Sequence, residues 1–197
     1  AKEGRPVYYH NIRGFDPNAE VLEAVWQEFD EPLKWHELPQ NAIIVIDEAP
    51  AGALPECPQL KLLRMEGEVY FGALQHVADT LHALRQPPGA PRHLLVMAKS
   101  MNFIDLAGAE LWADELKARR AAGGDLYFHR PRPEVIAIWR RTGFDQTLGA
   151  DHLFPDKAAA IAAIVPRLNP DICAKCGARI FKECKSRPKL DHNGALS

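Results

Sequence analysis

No apolar run in the sequence approaches the roughly 20 residues that a membrane-spanning helix needs. The first residues carry no signal-peptide pattern. There is no G-x-x-x-x-G-K-[ST] phosphate loop, and no Ser, His and Asp or H-x-x-x-H grouping close in sequence. Charge of one sign is lacking too. The formal net charge is -2, which gives no global electrostatic case for nucleic acid or for an anionic membrane surface. Cysteine is scarce: there are four, three of them close to the C-terminus. So few and so unevenly placed, they favour reduced thiols or a metal over a disulfide framework. What is present is enough to fold. The chain is 47% hydrophobic and 25% charged, and its 197 residues suffice for one ordinary domain plus an attachment.

The most informative stretch runs from His93 to Trp112. His93-Leu-Leu-Val-Met-Ala98 is short, apolar and without alternation, as suits a strand buried on both faces of a parallel sheet. Lys99 to Asn102 read as a turn, Phe103 and Ile104 as the lead-in, and Asp105 as the N-cap of a helix carrying Leu106, Ala109, Leu111 and Trp112. A strand feeding a helix in this way puts backbone N–H groups at the carboxyl edge of the sheet, where open α/β sheets place binding surfaces. The candidate partner- or anion-binding loop is therefore Lys99, Ser100, Met101, Asn102, Asp105, Leu106, Ala107 and Gly108.

The rest of the chain punctuates clearly. Gly4 to Gly14 reads as a strand and a turn, Glu20 to Phe29 has helical spacing, and Ala42 to Ile46 is an apolar strand ending in Asp47-Glu48. Ala49 to Pro58 is rich in Pro, Gly and Ala and reads as a linker. Gln59 to Met65, a turn at Glu66-Gly67, and a strand from Val69 read as a hairpin. A helix follows with Leu74, Val77, Ala78, Leu81 and Leu84 on one stripe. After the central unit come a strand at Leu126–His129, a helix opened by Pro131-Arg-Pro133, a short strand at Leu153-Phe154, and a helix from Lys157 to Val165 capped by Asp156. The pattern is α/β: a mixed sheet with packed helices, preceded by a short β-α-β segment. His76, His82, His93, His129 and His152 are scattered and expected at the surface or at strand ends. Cys173-x-x-Cys176 followed by Cys184 offers three thiolates, with His192 a candidate fourth ligand. The paired spacing of a zinc ribbon is missing and Gly177 to Lys182 has helical character, so free thiols are expected and no cofactor is called for.

Four separated motifs resemble one family in its own order: PECPQLKLLRMEGEVYFGA (Pro55 to Ala73), NFIDLAGAEL (Asn102 to Leu111), GGDLYFHR (Gly123 to Arg130) and VPRLNPDICAKCGARIFKEC (Val165 to Cys184). The likeness, over about residues 51–188, is to the cytoplasmic STAS domain of SulP-type anion (sulfate) transporters. It implies a STAS-like fold over 51–168, a Cys-containing C-terminal tail over 169–197, and a non-catalytic regulatory role. The implied partners are the transmembrane domain of the anion transporter or a cytosolic regulatory protein, at the cytosolic face of the inner membrane. A homodimer is left open. Stand-alone STAS switches of the anti-sigma-antagonist type carry a Ser in D-S-S-G at the start of the helix. Here Asp105-Leu-Ala-Gly108 puts Ala107, which has no hydroxyl, in the phosphorylated position.

Residues 1–50 resemble something else. GRPVYYHNIRGF and W-x-x-LPQNAIIVIDEA are similar to the Zot-like ATPases of filamentous phage assembly, in which Asp47 and Glu48 would be the Walker B pair. That resemblance implies Mg²⁺ and nucleotide chemistry. Without a Walker A loop nothing cradles the phosphates, so the alternative function, a fragment of such an ATPase, implies an inactive one. The segment is expected to add a strand to the STAS sheet, to pair with another copy, or to be poorly ordered.

Overall fold

The computed structural model describes residues 56–70, 72–86 and 88–189 in full, and the strands over 7–10, 26–28 and 43–47 as backbone. In chain order the strands are β1 (Val7–His10), β2 (Trp26–Glu28), β3 (Ile43–Asp47), β4 (Leu60–Val69), β5 (His93–Ile104), β6 (Leu126–His129) and β7 (Leu153–Phe154). The helices are α1 (Leu74–Ala83), α2 (Leu106–Ala121), α3 (Pro133–Thr142), α4 (Phe144–Leu148), α5 (Lys157–Ile164) and α6 (Pro170–Lys175). The strands form one sheet in the order β2-β1-β3-β4-β5-β6-β7. β4 to β7 are mutually parallel, and so are β1, β2 and β3. The two parallel blocks meet along the antiparallel pair β3–β4, with Asp47 opposite Leu63. The expected mixed α/β sheet with packed helices is what the chain forms. Of the three outcomes open to the first segment, its strands join the same sheet.

Alternation within the strands divides the interior in two. Leu63, Met65, Val69, Leu94, Val96, Ala98, Leu126 and Phe128 face one core, which also holds Val77 and Leu81 of α1, Trp112 and Leu116 of α2, and Trp139 of α3. Trp112, Phe128, Trp139 and Phe144 meet there, with Trp112 edge-on to Phe128 at 5.1 Å and Trp139 edge-on to Phe144 at 5.2 Å between ring centroids. On the opposite face Leu60, Leu95, Met97 and Tyr127 pack against Ala160, Ile164, Val165, Leu168 and Cys173. Helix starts follow their side chains: the Asp156 carboxylate accepts from the Ala159 N–H at 2.7 Å, and the Asn169 side chain accepts from the Asp171 N–H at 2.8 Å.

Four local expectations need correction. Glu66-Gly67 does not turn a hairpin: β4 runs through it as one ten-residue strand. Gly67, at φ 103°, absorbs a register shift there instead of reversing the chain. Lys99 to Asn102 is not a turn but the second half of the twelve-residue β5. From Arg64 to Glu66 β4 advances two residues while β5 advances three, from Met97 to Ser100. From Gly67 to Glu68 β4 advances one while β5 advances two, from Met101 to Phe103. Extra residues of this kind break the alternation by which a strand is recognised. Trp26–Glu28 belongs to a strand rather than to a helix, with Trp26 paired to Val7, because a ladder position against β1 outweighs helical spacing. Thus the preceding β-α-β segment contributes three strands, and the other residues expected in its helix lie outside the described residues. Finally, Gly177 to Ile180 is irregular and the segment takes a 3₁₀ turn at Lys182–Ser186, since the backbone carbonyls around it are taken up by Arg179.

One charged pair is embedded in this packing. Glu115 and Arg119 of α2 are one turn apart, with side chains 2% and 1% exposed, and Arg119 Nε donates to Glu115 Oε1 at 2.6 Å. Arg119 Nη1 also donates to the carbonyls of Pro91 and Arg92, and Arg85 reaches the other Glu115 oxygen at 3.2 Å. The network ties α2 to the end of α1 and to the chain entering β5. Removing one partner leaves a buried charge uncompensated, which costs about 3–5 kcal/mol. Glu115→Ala is therefore expected to lower the unfolding free energy by about that amount in urea titrations. The exposed Glu110→Ala is expected to change it by less than about 0.5 kcal/mol.

Candidate functional site: the β5–α2 junction

β5 ends at Ile104 and α2 begins at Leu106, with only Asp105 between them. Asp105 is extended (φ -99°, ψ -174°) and its Oδ1 accepts from the Gly108 N–H at 2.8 Å, while its own N–H donates to the Val69 carbonyl at 3.2 Å. The cap predicted from sequence is thus real, and it is anchored to the end of β4. Gly108 is buried because α2 starts hard against that strand: a Cβ on it would lie 2.5 Å from the Val69 carbonyl oxygen and 3.1 Å from Val69 Cγ1. Lys99 is exposed, and its carbonyl accepts from Arg132 Nε at 3.1 Å, which joins β5 to the start of α3.

The proposed loop residues separate into three groups by exposure. Lys99, Asn102 and Leu106 are exposed, and Ser100, Asp105 and Ala107 are half-buried. Met101, a member of the candidate loop, is fully buried in the main core and offers no contact surface. Phe103 is 46% exposed and Leu106 is 60% exposed. Two large apolar side chains thus flank the Asp105 cap. An anion gains little at this helix start, because the Asp105 carboxylate already accepts the Gly108 N–H and carries negative charge there.

Among the described histidines, His152 is held between two carboxylates. His152, buried rather than at the surface, has Nδ1 2.8 Å from Asp151 Oδ1 and Nε2 2.9 Å from Asp125 Oδ2, so each ring nitrogen is engaged by a carboxylate. Its ring stacks on Tyr127 at 4.9 Å. Burial works to raise the Asp125 carboxyl, but hydrogen bonds from His152, the Leu126 N–H and Arg120 outweigh it and hold the group down at about 2. His93 and His129 lie at strand ends as expected. Burial draws the His76 imidazole down to about 4.

Asp47 ends β3, opposite Leu63, and Glu48 lies outside the described residues. Cys173, Cys176 and Cys184 come together at the other edge of the sheet, where Cys57 joins them around one small cavity. Burial pushes the Cys57 thiol up, and the neighbouring Cys176 and Cys184 sulfurs push it the same way. All four are free thiols, and among the described residues no three His, Cys, Asp or Glu side chains stand ready-spaced around a metal. His192 lies outside the described residues.

The family model for the STAS domain matches residues 53–160, more than half of the chain. The chain belongs to the STAS family. No curated protein sequence matches it. Among solved structures, its STAS fold is similar to a sulfate transporter family protein from Wolinella succinogenes, with 19% identity and a TM-score of 0.50 over 61% of this chain and 95% of that one. It is also similar to the murine Solute Carrier 26 family member A9 anion transporter in its inward-facing state, with 16% identity and a TM-score of 0.51 over 57% of this chain but only 18% of the transporter. An anti-sigma factor antagonist from Mycobacterium paratuberculosis is matched at 16% identity and a TM-score of 0.48, over 57% of this chain and 92% of that one. Among the described residues, no helix of this STAS domain is long and apolar enough to cross a membrane.

The close seat of α2 on β4 gives a direct test. In Gly108→Ala the new methyl meets a backbone oxygen that cannot swing away, so α2 must shift. The gain in helix propensity, about 1 kcal/mol, is smaller than the roughly 1–3 kcal/mol that overpacking costs. Thermal denaturation is expected to show a net loss of stability, and an unchanged or raised midpoint would show that the helix start is not fixed by this contact.

Proposed function

We propose that this STAS domain is a non-catalytic regulatory and protein-interaction module of a SulP-type anion transporter, acting on the cytosolic side through the β5–α2 junction. The observation that carries the reading is the pair Phe103 and Leu106, both large, apolar and exposed on either side of a rigidly capped helix start. Such a surface gains from apolar burial and from hydrogen bonding by the exposed Asn102, which suits a protein partner better than a small anion. The partner is the transmembrane domain of the transporter or a cytosolic regulatory protein. The resemblance of four ordered motifs to SulP sequences and the likeness to the Wolinella succinogenes protein support the transporter setting. The Ala107 methyl, in place of a hydroxyl, argues against a phosphorylation switch at this helix start.

The test is anion uptake by the assembled transporter carrying this domain, or capture of its membrane domain by the purified chain. Leu106→Glu and Ala107→Glu put a charge on the junction without emptying the core. Each is expected to weaken capture about 10-fold or more, or to lower uptake comparably, while thermal stability stays near that of the parent. Asn102→Ala is expected to act in the same direction by a smaller factor. If the two charged variants fold and couple as the parent does, the junction is not the contact surface.

A further inference from the structure

The four cysteines of the chain are separated by as much as 127 positions in sequence, yet Cys57, Cys173, Cys176 and Cys184 line one cavity beside the start of β4. We propose that these four thiols form a tetrathiolate site for a single zinc ion, which fastens the C-terminal segment to the amino edge of the sheet.

The C-terminal spacing supplies two sulfurs from Cys173-x-x-Cys176 and a third from Cys184, as zinc sites commonly do. Three such ligands leave a site incomplete. Cys57 completes it from the chain entering β4, so the fourth ligand is a cysteine brought in by the fold rather than His192. The cavity among them measures about 20 Å³, which holds one water-sized sphere and is too small for an organic cofactor. A tetrahedron with Zn–S bonds of about 2.3 Å requires the sulfurs to draw together, because among the described residues no three of these side chains already stand within metal-binding reach of one another. The thiols are not joined as disulfides, so all four sulfurs are available.

The surroundings suit a thiolate cluster of net negative charge. Gln59 Nε2 donates to Cys173 Sγ at 3.3 Å, a hydrogen bond of the kind that orients metal-bound sulfur. Gln59 is itself fixed, since its Oε1 accepts from the Asn169 N–H at 2.9 Å and its Nε2 reaches the Asn169 carbonyl at 3.1 Å. The guanidinium groups of Arg179 and Arg187 line the same cavity and bring positive charge to it. They are held by backbone carbonyls, Arg179 by those of Cys173, Cys184, Arg187 and Pro188, and Arg187 by those of Pro166 and Leu168. The segment also needs a fastening. Ile172 and Ile180 are 40% and 43% exposed, so apolar burial holds it only in part, and a metal adds the binding energy that a small unit lacks.

The full chain, reduced and stripped with a chelator, is titrated anaerobically with Co²⁺ and then with Zn²⁺. The expected result is one Co²⁺ per chain with the intense visible bands and sulfur-to-cobalt charge transfer of a tetrahedral four-thiolate site, displaced by one equivalent of Zn²⁺. Cys57→Ser is expected to weaken Zn²⁺ binding at least about 10-fold and to change the spectrum to that of three sulfurs, whereas His192→Ala leaves both unaltered. Should Cys57→Ser fail to fold, thiol counting on the parent decides the matter. Four thiols react with an aromatic disulfide reagent in the metal-free chain, and all four are expected to be protected after one equivalent of Zn²⁺. Uptake well below one equivalent, a weak octahedral spectrum, a Cys57→Ser variant that binds as the parent does, loss of binding in His192→Ala, or protection of only three thiols would each overturn the proposal.

Discussion

The start of α2 against the end of β4 is the contact on which the rest of the domain depends. Three bonds and one clash define it. The Asp105 side chain accepts the Gly108 N–H, the Asp105 N–H donates to the Val69 carbonyl, the Ala109 N–H donates to the Asp105 carbonyl, and no side chain other than hydrogen fits at position 108. Because strand and helix are joined by a single residue, fixing that residue fixes where β5 stops and how α2 leaves the sheet. Trp112 and Leu116 follow on the buried face of the same helix, and Glu115 and Arg119 lock its second half to the chain entering β5. Ile104, directly before the cap, turns into the core, while Phe103 and Leu106 stand exposed around it.

Much of this architecture was legible because it rests on local signals. Asp105, Asp156 and Asn169 each precede a helix, and two of them, Asp105 and Asp156, could be read directly as caps. The apolar runs at Leu94–Ala98 and Leu126–Phe128 could be assigned to buried strands because both of their faces are covered. The two turns wrongly expected within strands share one cause. Where the chain departs from strict alternation, at Gly67 and between Ala98 and Phe103, the sequence looks like a turn, although a bulged strand carries on. Bulges depend on the neighbouring strand, which local periodicity cannot sense. The same bulges hid the burial of Met101. Cys57 was overlooked for a different reason: its neighbours Cys173, Cys176 and Cys184 are more than one hundred positions away, and only the packing of the C-terminal segment over Leu60 brings them together.

The domain therefore presents two distinct ends. β4 pairs with β5 from Leu60 opposite His93 to Val69 opposite Ile104, so the capped junction and the thiol cluster lie at opposite edges of the sheet. Ten to twelve strand residues at about 3.3 Å each place them roughly 30–35 Å apart. Phe103 and Leu106 stand exposed at one edge and the four thiols gather at the other, with β4 and β5 spanning the distance between them. β3, running antiparallel to β4, extends that sheet toward the strands of the first segment.

Amide hydrogen exchange at Gly108 tests the central claim most directly, because that single N–H reports the bond from which the junction is built. Exchange is compared between the parent and Asp105→Ala, with the amides of Leu95 and Val96 in the middle of β5 as internal references. The account predicts that Gly108 is strongly protected in the parent. In Asp105→Ala it should exchange at least about tenfold faster, a loss of roughly 1.4 kcal/mol and within the usual worth of a cap, while Leu95 and Val96 are far less affected. Equal protection of Gly108 in both proteins would contradict it, since the helix start would then be held by something other than the Asp105 side chain.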